Sequence, residues 1–177
     1  MEKRRSSHGL KLESALEALY QEVDRRASHL RQIHGAHLRC GPGCHACCVD
    51  GITVFTIEAE NIRTHFPELL EKGRPHPEGS CAFLSESGEC RIYAVRPYVC
   101  RTQGLPLRWI EEDESGGGVE MRDICPLNDR GIPLERLPAD QCWEIGPIEQ
   151  QLAALQFALR ADRRDRVRLR DLFRRER

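Results

Sequence analysis

Missing from this chain is any apolar run long enough to span a membrane or to form the core of a secretory leader. The basic opening MEKRRSSHGL passes straight into a charged amphipathic stretch. That absence predicts a cytoplasmic protein with no membrane partner. Charge of one sign is lacking too: 27 Lys and Arg meet 28 Asp and Glu, for a formal net of -1. The chain as a whole is therefore neither a polyanion binder nor an acidic solvating tail. There is no internal repeat and no extended low-complexity tract. There is also no HExxH metalloprotease motif, no phosphate-cradling glycine motif and no serine, histidine and acid arrangement, so hydrolase and nucleotide readings lack support.

Cysteine, by contrast, is abundant, with nine in 177 residues. That is too many for an ordinary cytosolic core, yet below the roughly 8 to 10% that marks a disulfide scaffold. A reducing cytosol leaves thiols unpaired, and an odd count leaves at least one unpaired anywhere, so metal ligation outranks disulfides.

The spacing of Leu12, Leu16, Leu19, Val23, Ala27, Leu30 and His34 predicts a first helix over about 10–34. Gly35, Gly41, Pro42 and Gly43 break that period, and CGPGCHACC follows in a tight loop. Ile52 to Phe55 is β-prone, and Thr56 opens a short second helix with Glu58 in its first turn. Residues 71–80, EKGRPHPEGS, read as a surface connection. In RIYAVRPYVCR a helical turn over 92–96 is limited by Pro97. Leu105 to Ile110 and Val119 to Ile124 read as a hairpin whose tip, with Glu111 to Glu114, is solvated rather than a cation site. Gly146 and Pro147 start a long last helix carrying Ile148, Leu152, Leu155 and Leu159 before it turns Arg-rich. The expectation is a mainly α fold with a small β-hairpin, a compact metal-stabilised single domain with long irregular cysteine loops. Its parts are an amphipathic helix over 1–39, a cysteine-cluster region over 40–130, and a loop with a long Arg-rich helix over 131–177.

Cys40, Cys44, Cys47 and Cys48 lie within nine residues, close enough for several thiolates to converge without a long loop closing. Adjacent Cys47 and Cys48 project differently from the backbone and fit poorly on one tetrahedral ion, which points to different centres or different irons. Cys81, Cys90, Cys100 and Cys125 form a looser second group, and Cys142 is left over. Zinc usually takes paired CxxC knuckles, and Cys44 to Cys47 is the one such pair. Iron–sulfur clusters accept mixed spacings, and Cys125–Pro126 echoes the cysteine–proline ending of bacterial ferredoxin motifs. CGPGCHAC also matches the CxxxCxxC of radical S-adenosylmethionine enzymes, but Ala46 replaces the usual aromatic and the chain is too short for their α/β barrel.

CGPGCHACC, then CAFLSESGECRIYAVRPYVCR, then ICPL resembles the YkgJ-type cysteine-cluster proteins, the zinc- or iron-chelating CxxCxxCC domain, over roughly 40–127. The most specific part is CRIYAVRPYVCR, and one extra residue separates Cys40 from Cys44 relative to the name pattern. The resemblance implies metal chelation through Cys40, Cys44, Cys47, Cys48, Cys81, Cys90, Cys100 and Cys125. A related bacterial flagellin lysine methylase carries a similar motif and is thought to use an iron–sulfur cluster, so methyl transfer is one family chemistry.

Tyr93, Arg96 and Arg101 flank Cys90 and Cys100, where guanidinium donors can offset thiolate charge. His29, His34, His37 and His45 approach the cysteine loop, but eight thiols leave little need for them. From Arg160 to Arg177 nine arginines meet four acids. Pairs such as Asp162 with Arg166 and Asp171 with Arg175 favour a solvated helix over nucleic-acid binding. The function expected is cysteine-ligated metal binding, an iron–sulfur cluster, 4Fe-4S in kind, ahead of zinc. It would serve electron transfer, redox response or an unassigned reaction with a redox or protein partner. The alternatives are a zinc-binding structural or metal-handling protein and a cluster-dependent methylase.

Overall fold

The computed structural model describes residues 7–41, 43–113, 116–131, 133–158 and 165–173. Helix α1, Ser7–Ile33, buries Leu16, Leu19, Tyr20, Val23, Ala27 and Leu30 along one stripe, as steps of three and four residues require. Strand β1, Thr53–Phe55, turns directly into α2, Thr56–His65, followed by α3, Pro67–Lys72. Helix α4, Tyr98–Thr102, follows Pro97. The hairpin is β2, Leu107–Glu112, with β3, Gly118–Asp123, paired antiparallel from Leu107 opposite Asp123.

Two hydrophobic cores meet at β1 and α2. Phe55 and Ile57 enter the first, with the α1 stripe, Tyr98, Leu105, Trp143, Ile148 and Leu152. Val54, Ala59 and Ile62 enter the second, with Phe83, Leu84, Ile92, Leu169 and Leu172. The alternation Val54 then Phe55 is the period-two placement of a strand buried on both faces.

Two expectations are corrected. The fold is a mixed α/β domain with two small sheets, not mainly α with a single hairpin. The hairpin is extended by β4, Trp143–Glu144, which runs parallel to β2 with Trp143 opposite Leu107. The long last helix is also absent as such. Helix α5, Pro147–Ala158, gives way to β5, Arg166–Arg168, and a 3-10 turn at Leu169–Phe173. The reason is the open edge of β1, which needs a ladder partner. Arg166, Val167 and Arg168 pair with Phe55, Val54 and Thr53, and Leu169 and Leu172 fill the second core. Gln156, fully buried, holds the return: it accepts from the Thr56 amide at 2.6 Å and donates to the Asp165 carbonyl at 2.9 Å. Leu159, Arg160, Asp162, Arg175 and Glu114 lie outside the described residues. Among the described residues no helix is long and apolar enough to cross a membrane.

Between the cores lies Glu58, 2% exposed. The Tyr20 hydroxyl and the Tyr98 amide donate to its Oε1 at 2.9 and 2.7 Å, and the Phe55 amide donates to Oε2 at 3.1 Å. Burial pushes its carboxyl above the ordinary range, and the three donors pull it back. Replacing Glu58 with Ala strands three buried donors and is expected to cost about 3 to 5 kcal/mol in urea unfolding. Glu58→Gln keeps an acceptor for two of them, and its cost is expected at about 1 to 2 kcal/mol.

Candidate metal centre

All nine cysteines are free thiols. Cys48, Cys81 and Cys90 belong to the second core or its edge, Cys100 lies within α4, Cys40, Cys44, Cys47 and Cys125 lie on loops, and the ninth, Cys142, is buried beside β4. Cys81 lies in the second core, with Cys48 and Cys90 packed against it. The Cys81 amide donates to the Cys48 carbonyl at 2.8 Å, and an isolated bridge pairs Val49 with Ser80. A second bridge, Leu84 with Cys90, and the Arg91 amide on the Phe83 carbonyl at 2.9 Å close the 81–91 loop so that Cys90 returns beside Cys81.

The sulfurs are met by backbone donors in a repeated pattern. The Phe83 amide points at Cys81 and the Ile92 amide at Cys90, each two residues on, and both favour the thiolate against the burial that pushes these thiols up. Cys100, on α4, is pushed up to about 12 by burial first and then by the charges of Cys81, Cys90 and Glu58. The Cys47 and Cys48 thiols share a hydrogen bond that favours ionisation at Cys47 and holds the proton on Cys48.

Chain order places Cys125 with Cys81, Cys90 and Cys100, whereas the fold places it with Cys40. Asn128 makes that connection: its amide donates to the Cys125 carbonyl at 2.7 Å and its Nδ2 to Cys40 Sγ at 3.3 Å. Cys40 Sγ rests on Gly104, where a β-carbon would overlap the sulfur and where φ is +87°. Glycine serves here both for the close approach and for the left-handed backbone. Burial raises the Cys40 thiol, and the Asn128 carboxamide opposes it.

The donor set fits a thiolate-bound metal. Arg91, half-buried, donates to the carbonyls of Arg74 and Ala82 at 2.8 and 2.7 Å. Its Nε is buried with no hydrogen-bond partner among the described residues, and it lies within electrostatic reach of Cys81 and Cys90. A half-buried cation whose Nε is turned inward without a partner is compensation of the kind an anionic thiolate site needs. Among the described residues no three His, Cys, Asp or Glu side chains are drawn together tightly enough to grip an ion.

The sequence-predicted arginines are placed differently from one another. Arg96 lies within reach of Cys90, stacks 4.2 Å from the exposed Tyr93 ring and approaches Asp24 at 3.5 Å. Arg101 turns toward α1: it pairs with Asp24, donates to the Arg96 carbonyl at 2.9 Å and lies 3.9 Å over the Tyr20 ring. Tyr20, Asp24 and Arg101 also line a cleft of about 350 Å³ with Asn61 and Val95, and no cysteine lines it. His34 is buried with Nε2 2.8 Å from the Gln141 carbonyl, and His45 lies against Gly88.

Sequence reasoning missed Arg170, which it left on a solvated helix. Arg170 pairs with Asp50 at 2.8 Å and donates to the carbonyls of His76, Pro77 and Ser80 at 2.7, 3.3 and 2.9 Å. It thereby ties together the segments that follow Cys48 and precede Cys81. No local signal marks that role, because its partners lie 90 or more residues away. Asn128, Arg91 and Glu58 were likewise invisible as partners.

A mixed α/β domain that presents eight free thiols from loops and from α4, with backbone amides on Cys81 and Cys90 and arginines near them, has the make-up of a cysteine-cluster domain. The family model of CxxCxxCC, a putative zinc- or iron-chelating domain, matches residues 39–126, and through that segment the chain belongs to the family. No curated protein and no solved structure matches the chain.

The Arg170 hydrogen bond holds the Asp50 carboxyl below the usual range, with help from the Gly51 and Gly79 amides. A depressed folded-state pKa means that this contribution is complete above the ordinary carboxylate range and is lost as pH falls through the lowered value. Arg170→Gln is expected to speed proteolysis at Arg74 several-fold at pH 7. In the wild type, the same cleavage is expected to accelerate only on acidification.

Proposed function

We propose that the chain is an iron–sulfur protein in which eight cysteines, seven on loops and Cys100 on α4, provide the thiolates for a cluster of the 4Fe-4S kind, working in electron transfer or redox response with a protein partner. The observation that carries the reading is a surplus of thiols. Cys48 feels the charges of Cys47, Cys81 and Cys100, and Cys100 those of Cys81, Cys90 and Cys47, five thiols in all where one tetrahedral zinc takes four ligands. Thiolate-rich clusters accept adjacent and unevenly spaced cysteines because different irons receive them.

Cys40, Cys44, Cys47, Cys48, Cys81, Cys90, Cys100 and Cys125 are the residues that would bind it. When bound, such a cluster supplies a one-electron couple. The Phe83 and Ile92 amides and the cations Arg91, Arg96 and Arg170 spread the thiolate charge and bias that couple upward. Arg101 belongs to the reading as the residue that holds the Arg96 loop on α1, and Tyr93 as the ring on which the Arg96 guanidinium stacks.

Anaerobic purification followed by visible absorption and by iron, zinc and sulfide analysis of one sample tests the proposal. Brown protein with iron and sulfide in similar amounts is the expected result, and stripping the metal is expected to lower the thermal midpoint by more than 5 °C or so, since a loss of 1 kcal/mol alone shifts a domain of this size by about 2 to 4 °C. Colourless, zinc-loaded protein without sulfide would overturn it.

A further inference from the structure

The cleft beside Arg101 is built by four separate stretches of chain, none of which brings a cysteine into it. Glu13, Glu17 and Asp24 line it from α1, Ala94 and Val95 from the turn between Cys90 and Cys100, and Arg101 from α4, with α2 as a further wall. Its volume of about 350 Å³ is that of a small-molecule site. Neither the structural ion pairs nor the thiol chemistry calls for an open space here.

The charges of the cleft are sorted along α1. At one end stands Arg101, 4% exposed and 3.9 Å over the Tyr20 ring. Its Nη1 pairs with Asp24 and its Nε donates to the Arg96 carbonyl at 2.9 Å, whereas its Nη2 enters no hydrogen bond among the described residues. A buried guanidinium that lines a cleft with one donor unused is a ready partner for an anionic oxygen. Asp24 does not compete for that donor's charge alone, because Arg96 also approaches it, at 3.5 Å. This end therefore sets two guanidinium groups against one carboxylate. At the other end stand Glu13 and Glu17, and Glu17 is exposed with no ion pair among the described residues. Glu17 precedes Tyr20 by three residues and Glu13 by seven, which places their helix positions roughly 5 and 10 Å from the ring that carries Arg101.

We infer that this cleft binds a small zwitterion whose carboxylate and ammonium are separated by a short aliphatic chain, the carboxylate on Arg101 and the ammonium between Glu17 and Glu13. A simple anion would meet Arg101 but also the two glutamates, and a simple cation would meet the glutamates but also the guanidinium groups at Asp24. Only a ligand with both charges satisfies both ends, and the offset along α1 calls for charges several bonds apart rather than those of an α-amino acid. Ala94 and Val95 supply apolar wall for the chain between them. Such a ligand touches α1 and the Cys90 to Cys100 segment at once, since Ala94 and Val95 lie within that segment and Arg101 directly follows it. The site is independent of which metal the thiols take.

The test is isothermal titration of the full chain, as isolated, with 4-aminobutanoate and 6-aminohexanoate, and with glycine, butanoate, butylamine and 4-aminobutanamide as controls. One of the two longer zwitterions is expected to bind saturably, one per chain, at millimolar concentration or below. Each control, which lacks one charge or the spacing, is expected to bind about 10-fold more weakly or not at all. Glu17→Gln, at an exposed position, is expected to weaken the zwitterion about 5-fold while leaving butanoate no weaker. Gln21→Trp, also exposed on α1 and on the cleft wall, is expected to fill the space and abolish binding with circular dichroism unchanged. Butanoate or butylamine binding as tightly as the zwitterions would overturn the ligand class, and so would glycine binding as tightly. Wild type that takes up neither longer zwitterion at tens of millimolar would overturn the site. Zwitterion binding that is unchanged in Glu17→Gln would overturn its placement, whether or not the tryptophan variant folds.

Discussion

Glu58 is a carboxylate shut away from water, and the groups that satisfy it come from three separate stretches of chain. Tyr20 belongs to α1, Phe55 closes β1, and Tyr98 opens α4, two residues before Cys100. A buried acceptor with three donors is expensive to leave half-satisfied, so the three stretches are held to one another or not at all. That node sits where the two cores meet. It fixes the helix that carries Cys100 relative to the second core, on which Cys48, Cys81 and Cys90 rest. The thiol loops have almost no regular structure of their own, and their placement is inherited from this junction.

Arginine does the remaining work, in two ways. Arg96 and Arg101 reach from the α4 region to Asp24, so the segment that carries Cys90 to Cys100 is tied to α1. Arg91 and Arg170 gather loop carbonyls around Cys81 while bringing positive charge near its sulfur. A guanidinium suits both tasks, since it stays charged when desolvated and offers several donors in fixed directions. The loops are thereby stiffened by groups that also offset thiolate charge.

Much of the local structure was legible. The three-four spacing along α1, the β-prone run before Thr56, the proline limit at Pro97 and the alternating pair that became β2 and β3 are near-neighbour signals, and each names an element correctly. The spacing of the CxxCxxCC segment named the family. The failures share a cause. Arg166 to Arg168 read as helix because the charge pattern is helical, but the open edge of β1 decided their conformation. Trp143 and Glu144 are too short a run to announce a strand, and only β2 makes them one. Asn128 and Arg170 look like ordinary surface residues until partners about 90 positions away are in place.

By itself, then, the sequence determined the chemistry available: eight thiols, more than one tetrahedral ion takes, together with the helices and hairpin whose periodicity is local. Only the tertiary structure decided which thiols face one another, which guanidinium groups stand beside them, and that Cys125 joins Cys40 while Cys48 joins Cys81. The physical reason is distance along the chain. A helix or a hairpin is selected by contacts a few residues apart, whereas a ligand set is selected by where loops closed over tens of residues come to rest, and that depends on two cores and one buried carboxylate that no short window contains.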